Sequence, residues 1–195
     1  MALTPAIFLD KDGTVLLDVP YNVDPKKMTF APGARQGIAR LARLRLPLIV
    51  VTNQPGIALG KFGFDGVRET QRHLRRMFRD EGATLDGFYF CPHHPDGSVP
   101  GYARLCECRK PAPGLLLMAA ERHHIALDRS WLVGDILNDI EAGRRAGCRT
   151  VLIENGNETE WLMNEWRTPD YRMPDLEAAS QLLVDQFMRQ AEVSP

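Results

Sequence analysis

An α/β fold, a parallel sheet flanked by helices, is predicted by three observations. Short apolar runs recur along the chain, stretches of helical pattern separate them, and several runs stop abruptly at acidic or hydroxyl residues. Runs that are apolar throughout belong to strands covered on both faces. Strands that alternate with helices pair in parallel.

The first strand is Ala6 to Leu9, and it ends in Asp10-Lys11-Asp12-Gly13-Thr14, where Gly13 lets the chain turn away. Pro32-Gly33 introduces a helix through about Leu44. The second strand, Leu46 to Val51, stops at Thr52-Asn53-Gln54. Asp65 to Arg79 carries Val67, Leu74, Met77 and Phe78 among charges, as a surface helix does. A third strand, Gly87 to Phe90, precedes an irregular stretch from Pro92 to Pro113, too long for a structureless loop unless something holds it. Next come a helix from Pro113-Gly114-Leu115 to His123 and a strand, Trp131 to Val133, ending in Gly134-Asp135 with Asp139 four residues on. A helix from Asn138 to Ala146 is closed by Gly147 as its C′ residue, and Thr150 to Ile153 is the last strand. Trp161 and Trp166 lie beyond it, to pack as core aromatics or to cover a site edge. A helix from Asp175 to Gln190 ends the fold.

The 195 residues, 1–195, read as a single domain with no room for a large cap and with no repeat, linker or low-complexity tract. Lysines and arginines number 24 against 25 acidic residues, so no global field favours a polyanion. The basic helix Arg68 to Arg79 reads as a solvated face, and no nucleic-acid partner is expected. The start lacks the basic region of a secretory signal, and no apolar run is long enough to span a membrane. A cytoplasmic monomer without a membrane partner is the expectation.

Two carboxylates spaced i, i+2 at the carboxyl end of a buried strand repel each other, so they need a cation or a raised pKa in one of them. They also stand where open α/β sheets bind ligands. A hard divalent ion such as Mg2+ would serve; a strand followed by an acidic turn fits the same residues. Thr52, the Arg109-Lys110-Pro111 segment and Asp135 recur in similar positions. A hydroxyl, a lysine and a further carboxylate are what a phosphoryl-transfer site requires.

The ordered set Asp-x-Asp-Gly-Thr, Thr, Lys and Gly-Asp-x-x-x-Asp resembles the haloacid dehalogenase (HAD) superfamily of phosphotransferases over roughly residues 6 to 155. More narrowly, Asp10-Lys11-Asp12-Gly13-Thr14, Thr52-Asn53-Gln54-Pro55-Gly56-Ile57-Ala58, Cys91-Pro92-His93-His94-Pro95 and Cys106-Glu107-Cys108-Arg109-Lys110-Pro111 are similar to the heptose bisphosphate phosphatases, beside the histidinol-phosphate phosphatases. The resemblance implies a three-layer Rossmann-like sheet. It also implies that Asp10 is the nucleophile and Asp12 the general acid and then base. Asp10, the Asp12 carbonyl and Asp135 would ligate Mg2+, with Thr52, Lys110 and Arg109 stabilising the transferring phosphoryl group and Asp139 behind them. A phosphoryl-accepting regulator on the same fold is the reading of another class. Asp12 as a proton shuttle and the paired cations argue for turnover instead.

Cys91-x-His93 and, after twelve intervening residues, Cys106-x-Cys108 supply three thiolates and one imidazole, a set that closes a tetrahedral Zn2+ shell. Such a zinc loop, residues 91–108, would order a segment rich in proline and glycine. A disulfide is the alternative, and His94 is an alternative imidazole; the family's pattern favours His93. Cys148 stands apart as a small buried residue.

The resemblance also implies that Asp18, Tyr21, Asn53, Gln54 and Pro55 line the phosphorylated sugar, although Asp18 and Tyr21 equally fit a turn residue and a loop anchor. Leu59 and Ile136 depart from the family, each standing where a cation is common. The expected reaction is release of the 7-phosphate of a heptose 1,7-bisphosphate, with histidinol phosphate as the alternative substrate.

Overall fold

The computed structural model describes residues 3 to 193, with side chains through residue 189. The ends of the expected 1–195 domain lie outside the described residues. The apolar runs become β1 (Ile7–Leu9), β2 (Leu48–Asn53), β3 (Gly87–Cys91), β4 (Trp131–Gly134) and β5 (Arg149–Ile153), followed by a sixth strand, β6 (Tyr171–Met173). Between and after them lie α1 (Ala34–Leu41), α2 (Phe64–Asp80), α3 (Gly114–His123), α4 (Leu137–Ala146) and α5 (Leu176–Val193).

All strands pair in parallel, in the order β3-β2-β1-β4-β5-β6. Phe8 lies opposite Ile49 on one side and Leu132 on the other. The chain winds outward from β1 to β3, then returns to place β4 against the other edge of β1. This reversal leaves a crevice outside the carboxyl ends of β1 and β4, where sheets of this kind bind ligands.

The alternation of side chains along each strand divides the core in two. Ile7, Leu9, Leu48, Val50, Trp131 and Val133 face α1, α2 and α5, which contribute Ile38, Leu41, Leu74, Phe78 and Leu183. Phe8, Ile49, Val51 and Leu132 face the other way, onto Leu115, Leu116 and Ala119 of α3 and Ala142 of α4. Burial on both sides explains why the strands show no polar alternation. Each fully buried large side chain contributes about 1.5–3 kcal/mol of hydrophobic stabilisation.

In α2, Val67, Leu74 and Phe78 fall on the buried face together with Thr70. In α1 the packing is closer: a Cβ on Gly37 would lie 2.7 Å from the Leu176 carbonyl oxygen of α5. Helix α1 ends three residues before the expected Leu44, giving way to a 3-10 turn over Ala42–Leu44. Strand β2 runs two residues beyond the expected Val51, because Thr52 and Asn53 pair with Phe90 and Cys91. Asp175 Oδ1 accepts from the Ala178 amide at the start of α5. Strand β6 has no counterpart in the sequence reading, since three half-exposed residues carry no periodic signal.

The stretch from 92 to 113 contains neither helix nor strand, as expected. The core assignment of Trp161 and Trp166 is corrected: they are 48% and 39% exposed. Their rings instead lie under the guanidinium groups of Arg172 and Arg145, at 5.4 and 5.3 Å. Neither lines the cavity described below. Cys148 is buried, as expected. Among the described residues no helix is long and apolar enough to cross a membrane.

Candidate active site

Strand β1 delivers its acidic end directly to the crevice. The Asp10 amide donates to the Val133 carbonyl at 2.9 Å, extending the pairing with β4 by one step before the chain turns. The turn is tight: the Val15 and Leu16 amides both donate to the Lys11 carbonyl, and Gly13 adopts a φ of 85°. A Cβ on Gly13 would lie 1.9 Å from Asp135 Oδ2, so only glycine fits between the loops that follow β1 and β4.

Asp10, Asp135 and Asp139 converge with less than a tenth of their surface exposed, and their carboxylate oxygens lie within 4.8 Å of one another. Lys110, equally buried, contacts Asp10 Oδ1, lies 2.6 Å from Asp139 Oδ1 and donates to the Val51 carbonyl at 3.0 Å. Asp139, expected behind the phosphoryl-binding groups, thus braces the lysine, and its other oxygen accepts from the Ile136 amide at 3.3 Å as α4 begins. Burial lowers the Lys110 pKa, but Asp10 and Asp139 outweigh it and hold the ammonium charged. Burial and the neighbouring Asp10 and Asp139 carboxylates push Asp135 up to about 8. Asp139 rises to about 6, chiefly through burial and opposed by Lys110.

One ammonium among three buried carboxylates leaves an excess of negative charge and oxygen ligands, the donor set that suits a hard divalent cation. Asp12 stands beside this group with its side chain 28% exposed and paired to Lys11. Its pKa is raised, first by burial and then by Asp10, against the pull of Lys11.

The sequence-derived residues meet around one cavity of about 340 Å3. Asp10, Asp12, Asp18, Tyr21, Thr52, Asn53, Gln54, Pro55, Arg109, Lys110 and Asp135 all line it, while Asp139 lies beneath. Ile136 belongs to the lining and Leu59 does not. Tyr21 is 49% exposed, with a φ of 55°.

Two amides have tasks that sequence reasoning missed. Asn53 Nδ2 donates to the Lys110 carbonyl and its Oδ1 accepts from the Lys110 amide, both at 3.0 Å, so Asn53 clamps the lysine backbone. Gln54 Nε2 donates to Thr52 Oγ1 at 3.0 Å and Asp12 Oδ2 at 3.4 Å, joining the ends of β1 and β2. Asn138 and Asn157, also in the lining, were missed as well. The Asn155-Gly156-Asn157 triplet was the available signal, as a turn sequence following a strand.

At the end of β3 and in the loop after it, Cys91, His93, Cys106 and Cys108 gather with one donor atom each inside the same 4.8 Å limit. The sulfur atoms are separated by 3.2 to 3.5 Å and none forms a disulfide. His93 Nδ1 lies 3.4 Å from Cys108 Sγ and 3.6 Å from Cys91 Sγ. His94 turns elsewhere, its Nδ1 accepting from the Asp96 amide at 3.2 Å. Three sulfurs and a nitrogen gathered this closely fit one tetrahedral ion. Arg109 Nη1 reaches the His93 carbonyl at 3.5 Å, so the cluster and the cavity share a wall.

A family model described as HAD-hydrolase-like matches residues 107–179. The D-glycero-beta-D-manno-heptose-1,7-bisphosphate 7-phosphatase of Escherichia coli K12 is 39% identical over 169 residues, covering 82% of this chain and 88% of that protein. The protein of the same name from Yersinia pestis is also 39% identical, covering 82% and 90%. The crystal structure of D,D-heptose 1,7-bisphosphate phosphatase from B. bronchiseptica, complexed with magnesium and phosphate, superposes with a TM-score of 0.77 at 30% identity, covering 94% of this chain and 99% of that one.

Proposed function

This chain belongs to the D-glycero-beta-D-manno-heptose-1,7-bisphosphate 7-phosphatases of the HAD-like hydrolases, and from that membership we propose that it removes the 7-phosphate of a heptose 1,7-bisphosphate through an aspartyl-phosphate. The observation that carries this reading is the buried Asp10-Lys110-Asp139-Asp135 group at the carboxyl ends of β1 and β4, open to a cavity that Asp12 also lines.

In the proposed reaction an Asp10 oxygen attacks phosphorus, the P–O bond to the sugar breaks, and Asp12 protonates the departing oxygen. Asp12 then takes a proton from water as that water attacks the aspartyl-phosphate, releasing phosphate and restoring the Asp10 carboxylate. Asp10, the Asp12 carbonyl and Asp135 would hold a Mg2+ that screens the repulsion between the anionic nucleophile and the phosphate. The Lys110 ammonium supplies the fixed positive charge beside Asp10, and Thr52 a hydroxyl donor for a phosphoryl oxygen. Arg109 adds a forked donor at the same wall. Asp18, Tyr21 and Pro55 are assigned to the sugar-facing lining, with Asn53 and Gln54 acting mainly on Lys110, Thr52 and Asp12.

Cys91, His93, Cys106 and Cys108 are assigned to a structural Zn2+. Its ligation would order the loop that carries Arg109 and Lys110 without touching the substrate.

The test is phosphate release in the presence of Mg2+ from heptose 1,7-bisphosphate, histidinol phosphate, fructose 1,6-bisphosphate and a 3′-phosphorylated oligonucleotide, with Asp10→Asn as the blank. Strong preference for the heptose, abolished in Asp10→Asn, supports the reading. Preference for another ester overturns the substrate, and a stable phosphoprotein without turnover overturns the hydrolytic step.

A further inference from the structure

After β5 the chain does not leave the site. Asn155 Nδ2 donates to the Gly13 carbonyl at 2.7 Å, tying this segment to the turn that follows β1. The Asn157 amide donates to Asn155 Oδ1 at 3.1 Å, closing a turn over Gly156, whose φ is 89°. Asn157 Nδ2 then donates to Asp135 Oδ2 at 2.7 Å. Glu158 Oε2 accepts from the Leu137 amide at 2.6 Å, fixing the segment to the first turn of α4. Residues 155–158 therefore form a strap across the loops after β1 and β4.

Asp135 has few other partners. Its second oxygen receives Thr14 Oγ1 at a long 3.4 Å, and it is 3% exposed, so water cannot replace a lost donor freely. Asn157, which lines the cavity itself, makes the shortest hydrogen bond to this carboxylate. A neutral amide is the suitable chemistry for that task. It orients the carboxylate without cancelling the negative charge a cation needs, whereas a lysine there would compete with the cation for the same oxygens.

We propose that Asn157 is a positioning residue that holds the Asp135 carboxylate in its Mg2+-binding orientation, and that the 155–158 strap exists to place it. The proposal rests on the reading of Asp135 as a Mg2+ ligand. With Asn157 in place the carboxylate meets the ion already oriented; without it, binding must also fix the carboxylate's rotation.

The thermal unfolding midpoint of the full chain, followed over a Mg2+ titration without substrate, reads the apparent Mg2+ affinity directly. The midpoint at zero Mg2+ reports the fold, separating loss of stability from loss of binding. Asn157→Ala is expected to weaken Mg2+ binding about tenfold or more. In phosphate-release assays it should raise the Mg2+ concentration for half-maximal rate more than it lowers kcat at saturating Mg2+. Asn155→Ala, at an exposed position that does not touch Asp135, should shift the affinity in the same direction by less. Wild-type affinity in Asn157→Ala, with binding lost in an Asp135→Asn control, overturns the proposal. Unchanged binding in Asp135→Asn overturns instead the metal assignment beneath it. If Asn157→Ala does not fold, Asn155→Ala decides, and wild-type affinity there overturns the role of the strap.

Discussion

Lys110 carries the densest set of interactions in the site, and its neighbours show what its position requires. Its ammonium is caught between Asp10 and Asp139, while its backbone is held at both polar groups by Asn53. Asn53 was expected at the substrate, and it does line the cavity, but both ends of its amide are engaged by Lys110. Asn53→Ala is therefore expected to lower kcat by about tenfold or more while changing KM little, because it loosens the lysine rather than removing a substrate contact. Steady-state kinetics on the preferred ester separate the two: a large rise in KM at constant kcat would return Asn53 to substrate binding. Asp10, Asp12 and Asp135 were legible because charge at strand ends already implies chemistry, and Lys110 because a cation pair stands ahead of a helix. The hydrogen bonds of Asn53 and Gln54 were not, since an amide takes whichever partner the fold brings within 3 Å, and here that partner is up to 57 residues away.

At the scale of elements, the loop between β3 and α3 is an irregular segment that gathers four potential metal ligands. It contains no helix or strand, and its cysteines and His93 converge at the end of β3 and just ahead of Arg109 and Lys110. If the cluster holds Zn2+, Cys106→Ser should release the metal, measured by atomic absorption. It should also lower kcat about tenfold or more, because the cations lose their support. Full activity in metal-depleted Cys106→Ser would separate the cluster from the site. The spacing of the four Cys and His residues announced their convergence, and the length of the loop is what made a stabilising ion the expectation. Strands and helices were equally legible wherever an apolar run or a helical face was long. Errors fell at ends: β2 finishes late because its neighbour β3, not local preference, decides where pairing stops, and α1 finishes early where the chain tightens into the 3-10 turn over Ala42–Leu44. The tryptophans failed for a related reason. Large rings predict burial on average, but the segment between β5 and β6 crosses the surface and pairs them with arginines.

Across the whole molecule, that surface segment is fastened to α4 by charge. Glu141 accepts from Arg145 Nε at 2.8 Å and Arg167 Nε at 2.7 Å, and Arg167 Nη2 also donates to Asn138 Oδ1 at 3.1 Å in the cavity wall. Burial alone would raise the Glu141 pKa, but the hydrogen bonds from Arg167 and Arg145 prevail and hold it below the usual glutamate value. A carboxylate whose folded pKa lies below its unfolded one contributes stability above the unfolded value and loses it as pH falls through the folded value. Glu141→Gln should thus cost about 1 kcal/mol at neutral pH, a modest figure because Arg145 is 44% exposed, and the difference from wild type should shrink as pH falls below the usual glutamate value and through the lowered folded one. Thermal unfolding across that range checks it; a constant gap would mean that packing, not charge, is lost. By itself the sequence determined the α/β class, the positions of the main strands and helices, the acidic strand ends and the four-residue Cys/His set. These follow from side-chain type and short-range periodicity, which act between residues near in the chain. Only the tertiary structure decided that β4 returns beside β1, that Lys110 sits between Asp10 and Asp139, and that Asn157 reaches Asp135. Those outcomes arise because a doubly wound sheet brings together residues dozens of positions apart, and no local pattern records which polar groups will meet where water is excluded.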